Sequence, residues 1–206
     1  VLKKILSYVN CFCMQTMRDA DRIRQMGAAS GKVLVTGNMK FDESRGEEVS
    51  AYEPLRPLTQ GEVIVAGSTH PGEEEIVLDA FGRLKKARPG LRLILAPRHI
   101  ERVPEVRAMA GRYPLSVLLL SDILKRSVEL PDVILVDTIG HLRHLYAYAT
   151  VVFIGKSLCG KGGQNMIEPA AFKKPIIIGP HMENFRAVVD LFLSAEGVVM
   201  IQDATE

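Results

Sequence analysis

A glycine-rich turn in the second half of the chain contains residues that could bind a phosphate. The segment GKSLCGKGGQNMIEPA, residues 155–170, follows the apolar run VVFI and begins with the G-x-x-x-x-G-K pattern of nucleotide-triphosphate loops. The next residue of such a loop is Ser or Thr, whose hydroxyl holds magnesium, but here it is Gly162. The sequence therefore leaves two alternatives, a triphosphate loop without its magnesium ligand and a different anion-binding turn.

The position of an acidic residue favours the second alternative. Asp137 follows the apolar run VILV and imitates the magnesium-binding Asp of triphosphatases, which normally comes after the glycine-rich loop and not before it. The reversed order and Gly162 together argue against a triphosphatase. We expect Asp137 to cap the helix that follows it.

The later half of the turn could bind a phosphate together with a sugar. Its glycines lack a Cβ that would keep a ligand away from the backbone. The amides of Gly163, Gln164 and Asn165 would face a phosphate at the positive end of a helix, and Glu168 would accept hydrogen bonds from sugar hydroxyls. The alternative is structural: Asn165 and Glu168 resemble a capping box, which satisfies a helix N-terminus without any ligand.

Two earlier turns carry polar residues directly after apolar runs. AGSTHPGEEE contains Ser68 and Thr69, which could cap a helix or contact an anion, and LILAPRHIER contains Arg98 and His99. The planar guanidinium of Arg98 can bind two phosphate oxygens at once. No strand-to-helix turn contains G-x-G-x-x-G, which argues against a nicotinamide or flavin enzyme.

The elements that must position these turns alternate between strands and helices. From Glu62 onward, short β-branched runs are separated by stretches with helical periodicity, which predicts an α/β fold, a parallel sheet covered by helices on both faces. Right-handed crossovers bring all strand-to-helix turns to one edge of such a sheet, where open α/β sheets bind ligands. Before Glu62 we predict a strand, a helix and a strand, followed by a polar linker at residues 41–61.

Composition excludes several classes of protein. The 206 residues are 47% hydrophobic, and 26 basic against 24 acidic side chains leave a net charge of +2, which argues against bulk nucleic-acid binding. No apolar run approaches the roughly 20 residues of a membrane span, so we expect a soluble chain. We interpret the start at Val1 as that of a fragment. The three cysteines form no disulfide framework, which fits a reducing cytosol, and we expect Cys11 and Cys13 to be buried strand thiols.

Six motifs, taken together, resemble the 3-deoxy-D-manno-octulosonic acid (Kdo) transferases of lipopolysaccharide synthesis, in particular their C-terminal half. They occur in the family's order: VTGNMKFD, AGSTHPGEEE, APRHIER, VDTIGHLRHLY, GGQNMIEPA and IIGPHMENF. The resemblance implies a Rossmann-like half of a glycosyltransferase-B fold. It divides the chain into residues 1–40, the end of an acceptor domain, the linker 41–61, and residues 62–206, a donor-binding domain that ends before its last helices.

The resemblance also implies a function. The family's C-terminal domain holds the donor, CMP-Kdo, and the whole enzyme transfers Kdo with inversion to a lipid A precursor at the cytoplasmic side of the bacterial inner membrane. The carboxylate base belongs to the N-terminal domain, so this chain would hold no catalytic residue and would transfer nothing alone. No metal and no cofactor are implied. The implied donor contacts are Ile139 and Gly140 at the cytosine, Glu168 at the ribose, Gly163, Gln164 and Asn165 at the phosphate with Gly162 beside them, and Ser68, Thr69, Arg98 and His99 along the phosphate and sugar acid.

Three residues depart from the family's pattern, and two other functions stay open. His141 stands where Glu is expected, Gln164 where His is usual, and Lys156 where a second Gly is often found. A nucleotide-sugar epimerase of similar fold would prefer UDP compounds to CMP. A non-catalytic α/β module would bind no nucleotide and would tolerate Glu168→Ala and Arg98→Ala.

Overall fold

The chain folds into two compact units, residues 1–46 and 47–206. The structure is a computed structural model that describes residues 1–38, 52–126, 129–203 and 205. The elements of the first unit are α1 (Leu2–Ser7), β1 (Phe12–Met14), α2 (Met17–Gln25) and β2 (Val33–Val35). β1 and β2 pair in parallel around α2, in the order that the sequence predicts, and α1 is an additional helix that the sequence analysis missed.

The cysteines next to β1 correct one prediction. Phe12 and Met14 pack against the small core of the first unit. Cys11 and Cys13 are exposed, with their Sγ atoms 3.9 Å apart. Because successive side chains of a strand point to opposite faces, a strand that turns Phe12 and Met14 toward the core must turn its cysteines away. The prediction of buried thiols is therefore wrong.

The second unit contains a seven-stranded sheet in the order β5-β6-β4-β3-β7-β8-β9, and every neighbouring pair is parallel. Its strands are β3 (Val63–Thr69), β4 (Arg92–Pro97), β5 (Val117–Leu119), β6 (Val133–Leu135), β7 (Val151–Ile154), β8 (Ile176–Ile178) and β9 (Val199–Met200). Its α-helices are α3 (Glu73–Ala87), α4 (Val103–Ala110), α5 (Leu120–Lys125), α6 (Leu142–Leu145), α7 (Ile167–Ala171) and α8 (Arg186–Ser194).

Both faces of this sheet are buried. On one face, Phe81 of α3 and Val106 of α4 pack in one cluster with Leu93 and Leu135 of the sheet. The other face is formed by alternate strand residues, which are also fully buried: Val65, Ile94, Ile134 and Val152. Burying a side chain of this size contributes about 1.5–3 kcal/mol. The apolar strands are therefore stabilised by the burial of side chains on both faces of the sheet. The predicted Rossmann-like parallel sheet with helices on both faces is confirmed.

The predicted linker at residues 41–61 includes an ordered segment. Residues 41–51 lie outside the described residues, but Glu53–Gln60 form a 3-10 helix. Leu55 and Leu58 are fully buried because residues three apart lie on the same side of such a helix. This segment therefore packs as part of the second unit. The division into residues 1–40, 41–61 and 62–206 stays a prediction.

Asp132 gives the second unit a pH-dependent contact. Its carboxylate accepts hydrogen bonds from the amide and hydroxyl of Ser116 at 2.9 and 2.8 Å, and it lies 2.6 Å from Nζ of Lys85. Partial burial alone would raise the pKa of Asp132, but the contacts with Lys85 and Ser116 outweigh burial and lower the pKa. A carboxylate with a lowered folded-state pKa stabilises the fold above its unfolded-state pKa of about 3.9, and this contribution is lost as the pH falls below it.

We expect Asp132→Asn to lower the free energy of unfolding by about 1 kcal/mol at pH 7, because the ionised partner of Lys85 is lost. Urea unfolding of both proteins at pH 7 and pH 3 measures this difference. Because pH 3 lies below the unfolded-state pKa of about 3.9, part of this contribution is lost there and the difference between the two proteins should shrink. An equal difference at both pH values would show that the ionised carboxylate is not what stabilises this contact.

Candidate functional site

The predicted turns lie at the carboxyl-terminal edge of the parallel sheet, after β3, β4, β6 and β7. β3 pairs with β4 on one side and with β7 on the other, so the strand order reverses between β3 and β7. Open α/β sheets bind ligands in the crevice beside such a reversal. The turn after β3 and the glycine-rich turn after β7 therefore form the centre of the candidate site.

The turns after β3 and β4 are in direct contact. The amide of Arg98 donates to the carbonyl oxygen of Thr69 at 2.9 Å, and the rings of His70 and His99 meet edge to face with centroids 5.8 Å apart. Ser68 has a left-handed φ of 55° at an irregularity in the pairing of β3 with β4. Non-glycine residues held in this region are strained, and such strain is frequent at functional sites. The structure thus brings together the predicted residues of these two turns.

The hydroxyls of Ser68 and Thr69 do not cap α3. The N-cap of α3 is Gly72, and the carboxylate of Glu73 accepts a hydrogen bond from the amide of His70 at 2.9 Å. Thr69 is only 1% exposed, and its Oγ1 has no hydrogen-bond partner among the described residues. Ser68 is half-buried, so it is the more accessible of the two predicted anion contacts.

The turn after β6 exposes its predicted residues and corrects the role of Asp137. Ile139 is 81% exposed, and Gly140 is exposed with a φ of 89°. Asp137 does not cap the following helix, because its carboxylate accepts hydrogen bonds from the amide and hydroxyl of Ser121 at 3.0 and 2.5 Å. Ser121 lies in the first turn of α5, which precedes Asp137 in sequence. The prediction is wrong because the pairing of β5 with β6, and not the order along the chain, decides which helix start the carboxylate reaches.

The first half of the glycine-rich turn binds a carboxylate of the protein itself. The amides of Lys156, Ser157, Leu158 and Cys159 donate to Glu73 at 2.7, 3.0, 2.9 and 3.4 Å. Glu73 is fully buried. These amides are therefore not available to the phosphates of a nucleoside triphosphate, which agrees with the sequence argument against a triphosphatase. Nothing around Glu73 in the chain indicates partners more than 80 residues away, so the sequence alone does not identify its role.

The second half of the turn offers fewer free amides than the sequence predicts. The amide of Gly162 donates to Glu183 at 2.6 Å, and that of Gly163 donates to a carbonyl of the same turn at 3.1 Å. Hydrogen bonds from its own amide and from Gly162 lower the pKa of Glu183. In the described part of the chain, the amides of Gln164 and Asn165 have no hydrogen-bond partner. Of the amides predicted to bind a phosphate, those of Gln164 and Asn165 therefore remain available.

Asn165 and Glu168 form a side-chain pair at the start of α7. Oδ1 of Asn165 accepts from the amide of Ile167 at 3.1 Å, and its Nδ2 donates to Oε1 of Glu168 at 3.0 Å. A complete capping box would use the Asn165 amide as the donor to Glu168, so the structural alternative is only partly realised. Burial, and then the charge of Glu168, raise the pKa of Tyr146, whose hydroxyl fills the space that a Cβ at Gly67 would occupy. Helix α7 contacts the segment Tyr146–Tyr148, and the hydroxyl of Tyr146 reaches Gly67 of β3.

The three residues that depart from the family's pattern differ in their environment. Nδ1 of His141 lies 2.6 Å from the hydroxyl of Tyr52, and burial raises the pKa of Tyr52. His141 therefore connects the turn after β6 to Tyr52, the residue before the 3-10 helix. Lys156 has a φ of 57°, a conformation that glycine adopts more readily. Gln164 is half-buried, and its side chain makes no hydrogen bond with the described residues.

Comparison with known proteins gives matches along the whole chain. A family described as 3-deoxy-D-manno-octulosonic-acid transferase (kdotransferase) matches residues 1–43. A bifunctional glycosyltransferase/methyltransferase of Fusobacterium nucleatum is 36% identical over 196 residues, which are 93% of this chain and 30% of the relative. A 3-deoxy-D-manno-octulosonic acid transferase of Haemophilus influenzae is 32% identical over 213 residues, 100% of this chain and 48% of the relative. The chain thus spans half or less of the length of these curated relatives.

One solved structure is similar to this chain in both sequence and fold. It is the crystal structure of the C-terminal CMP-Kdo binding domain of WaaA from Acinetobacter baumannii. It superposes with a TM-score of 0.68 and 31% sequence identity, and the match covers 81% of this chain and 84% of that one. The similarity therefore extends over most of that solved domain.

Proposed function

Because the chain belongs to the 3-deoxy-D-manno-octulosonic acid (Kdo) transferase family, we propose that it forms the CMP-Kdo-binding half of an inverting Kdo transferase. The observation that carries this proposal is the match to a CMP-Kdo binding domain. The two chains are 31% identical in sequence and share a fold, and the match covers 84% of that domain. The crevice between β3 and β7 supports it, since it is the edge where this class of sheet binds nucleotides.

We infer the donor contacts from the arrangement of the turns. The free amides of Gln164 and Asn165 bind the single phosphate, and the carboxylate of Glu168 accepts hydrogen bonds from the ribose. Ile139 and Gly140, exposed after β6, border the cytosine. The remaining predicted residues line the phosphate and sugar acid: Ser68, Thr69, Arg98, His99, Gly162 and Gly163. Preorganised N–H donors suit this chemistry, because CMP leaves as an anion and such donors stabilise the charge that develops.

Thermal unfolding with millimolar CMP, UMP and Mg-ATP tests the proposed ligand. A ligand at about 100 times its Kd stabilises a protein by roughly 2.7 kcal/mol, and 1 kcal/mol shifts the Tm of a chain of this size by about 2–4 °C. Of these three nucleotides, we expect only CMP to raise the Tm. A preference for UMP would favour an epimerase using a UDP-sugar, an alternative that the named relatives do not support.

Glu168→Ala tests the proposed ribose contact. We expect this change to weaken CMP binding about 10- to 100-fold, because a hydrogen bond to a charged group contributes roughly 1.5–3 kcal/mol. Isothermal titration with CMP measures it. Glu101→Ala, which removes an exposed carboxylate after β4 at the same edge of the sheet, is the control and should leave CMP binding unchanged. If Glu168→Ala lowered only the Tm of the free chain and left the Kd for CMP unchanged, its contact with Asn165 would be purely structural.

The activity of the whole enzyme involves parts beyond this chain. We propose that a second half, which faces the donor crevice, supplies the carboxylate base and binds the lipid A precursor as the acceptor at the cytoplasmic side of the inner membrane. The chain by itself would then bind CMP and transfer no Kdo, and transfer by the purified chain would overturn this proposal. In the part of the chain that the structure describes, no helix has the length and apolar character needed to cross a membrane.

A further inference from the structure

We propose that Glu73 is a positioning residue for the donor-binding turn. Its carboxylate acts as an internal anion that the amides of residues 156–159 bind, and it thereby orders the backbone that presents Gln164 and Asn165. The ordering of the turn is a property of this chain alone, whereas its effect on nucleotide affinity rests on the proposed function. No catalytic role for Glu73 is implied, since it is buried behind the turn.

The geometry around Glu73 is that of a bound anion. Oε1 of Glu73 accepts from the amides of Ser157, Leu158 and Cys159. Oε2 accepts from the amides of Lys156 and His70. Successive N–H groups that converge in this way, around a residue in the left-handed conformation such as Lys156, form an anion-binding concavity. Among the described residues Glu73 forms no ion pair, so backbone amides alone compensate its buried charge.

The contact continues from Glu73 through one residue, Lys156, to Gly163, which directly precedes the predicted phosphate amides. The amide of Lys156 donates to Glu73, while its carbonyl oxygen accepts from the amide of Gly163 at 3.1 Å. Ser157, fully buried, fixes the other side: its carbonyl accepts from His181 at 2.9 Å and its hydroxyl from Gly179 at 2.8 Å. The turn is therefore anchored by hydrogen bonds to Glu73 and to the segment after β8.

The two neighbouring glutamates show that this is not a general effect of charge at a helix start. All three acidic residues, Glu73, Glu74 and Glu75, lie in the first turn of α3. Glu74 is also fully buried, but it pairs with Arg102. Glu75 is exposed and, among the described residues, makes no hydrogen bond with the turn. Of the three glutamates, only Glu73 hydrogen-bonds to the glycine-rich turn within the described residues.

The test removes the anion and then replaces it. Glu73→Ala deletes a CH2–COO⁻ group, which acetate resembles closely in size and charge. Amide hydrogen exchange of residues 156–165 is measured in the wild-type chain, in Glu73→Ala and in the matched control Glu75→Ala. Each protein is studied with acetate and with chloride at equal ionic strength. We expect exchange in this segment to be faster only in Glu73→Ala, and acetate to slow it again.

CMP affinity provides the second readout. In chloride, Glu73→Ala should bind CMP about tenfold more weakly than the wild type, because each backbone residue that must be re-ordered on binding lowers the affinity by about this factor. Acetate should restore the affinity. Glu73→Gln, which keeps the shape but loses the charge, should be affected in the same direction, and it replaces Glu73→Ala if the latter does not fold.

The outcomes separate the inference from the proposed function. Unchanged exchange of residues 156–165 in the Glu73 variants, or faster exchange that acetate does not reverse, would overturn the internal-anion role. Restored exchange without restored CMP affinity would overturn the positioning role. If the wild-type chain binds no CMP at all, the proposed function fails, and the exchange measurement still decides whether Glu73 orders the turn.

Discussion

Arg102→Ala is expected to lower the free energy of unfolding by about 3 kcal/mol or more, because it leaves the buried carboxylate of Glu74 without its partner. The guanidinium of Arg102 contacts both oxygens of Glu74, at 2.7 and 3.4 Å. The side chain of Glu74 is 0% exposed and that of Arg102 is 16% exposed. Thermal unfolding should show a fall in Tm of roughly 6–12 °C.

The matched control for Arg102→Ala is an ion pair on the surface. Arg56 pairs with Glu53 at 3.4 Å, but the two side chains are 75% and 83% exposed. Exposed pairs contribute about 0–1 kcal/mol, so Arg56→Ala should change the Tm little. Adding Glu74→Gln to Arg102→Ala should recover part of the loss, since it removes the unpaired charge. If the two arginine variants unfolded at the same temperature, burial would not be what makes the Arg102 contact important.

Gly155→Ala is expected to lower the free energy of unfolding by about 3 kcal/mol, at the upper end of the usual cost of overpacking. The added Cβ would lie 2.5 Å from Cα of Thr69 and 2.6 Å from the carbonyl carbon of Ser68. These are backbone atoms of β3, which cannot rotate away as a flexible side chain would. The amide of Gly155 also donates to the carbonyl of Gly67 at 2.8 Å, so separating the strands would strain this bond.

Urea unfolding of Gly155→Ala and of Gly90→Ala gives this comparison its control. Apart from its own chain neighbours, no described residue has a heavy atom within 4 Å of the position that a Cβ would take at Gly90, so that substitution should be close to neutral. Gly155→Ala should also weaken CMP binding, because it pushes apart the two turns at the centre of the proposed site. Equal stability of the two variants would mean that β3 and β7 can separate at little cost.

Local sequence patterns were sufficient to predict most elements of the second unit. The apolar runs that became β3, β4, β6 and β7 are continuous and bounded by polar turns, so their burial on both faces followed directly from composition. Helix α5 was missed because β5 leads straight into it, and the run PLSVLLL gives no sign of where the strand ends. The exposed cysteines were missed because alternation identifies two faces of a strand without telling which one is covered.

The sequence by itself determined the fold class, the family and the turns that meet at one edge, because these depend on the order of elements and on residue types within each turn. Only the tertiary structure decided which groups those turns contact. Asp137 reaches Ser121, and Glu73 occupies the amides at 156–159, because strand pairing places segments together that are 16 or more than 80 residues apart. Periodicity along a chain reports burial, but a hydrogen bond depends on the distance between two atoms, and that distance is fixed only when the sheet has assembled.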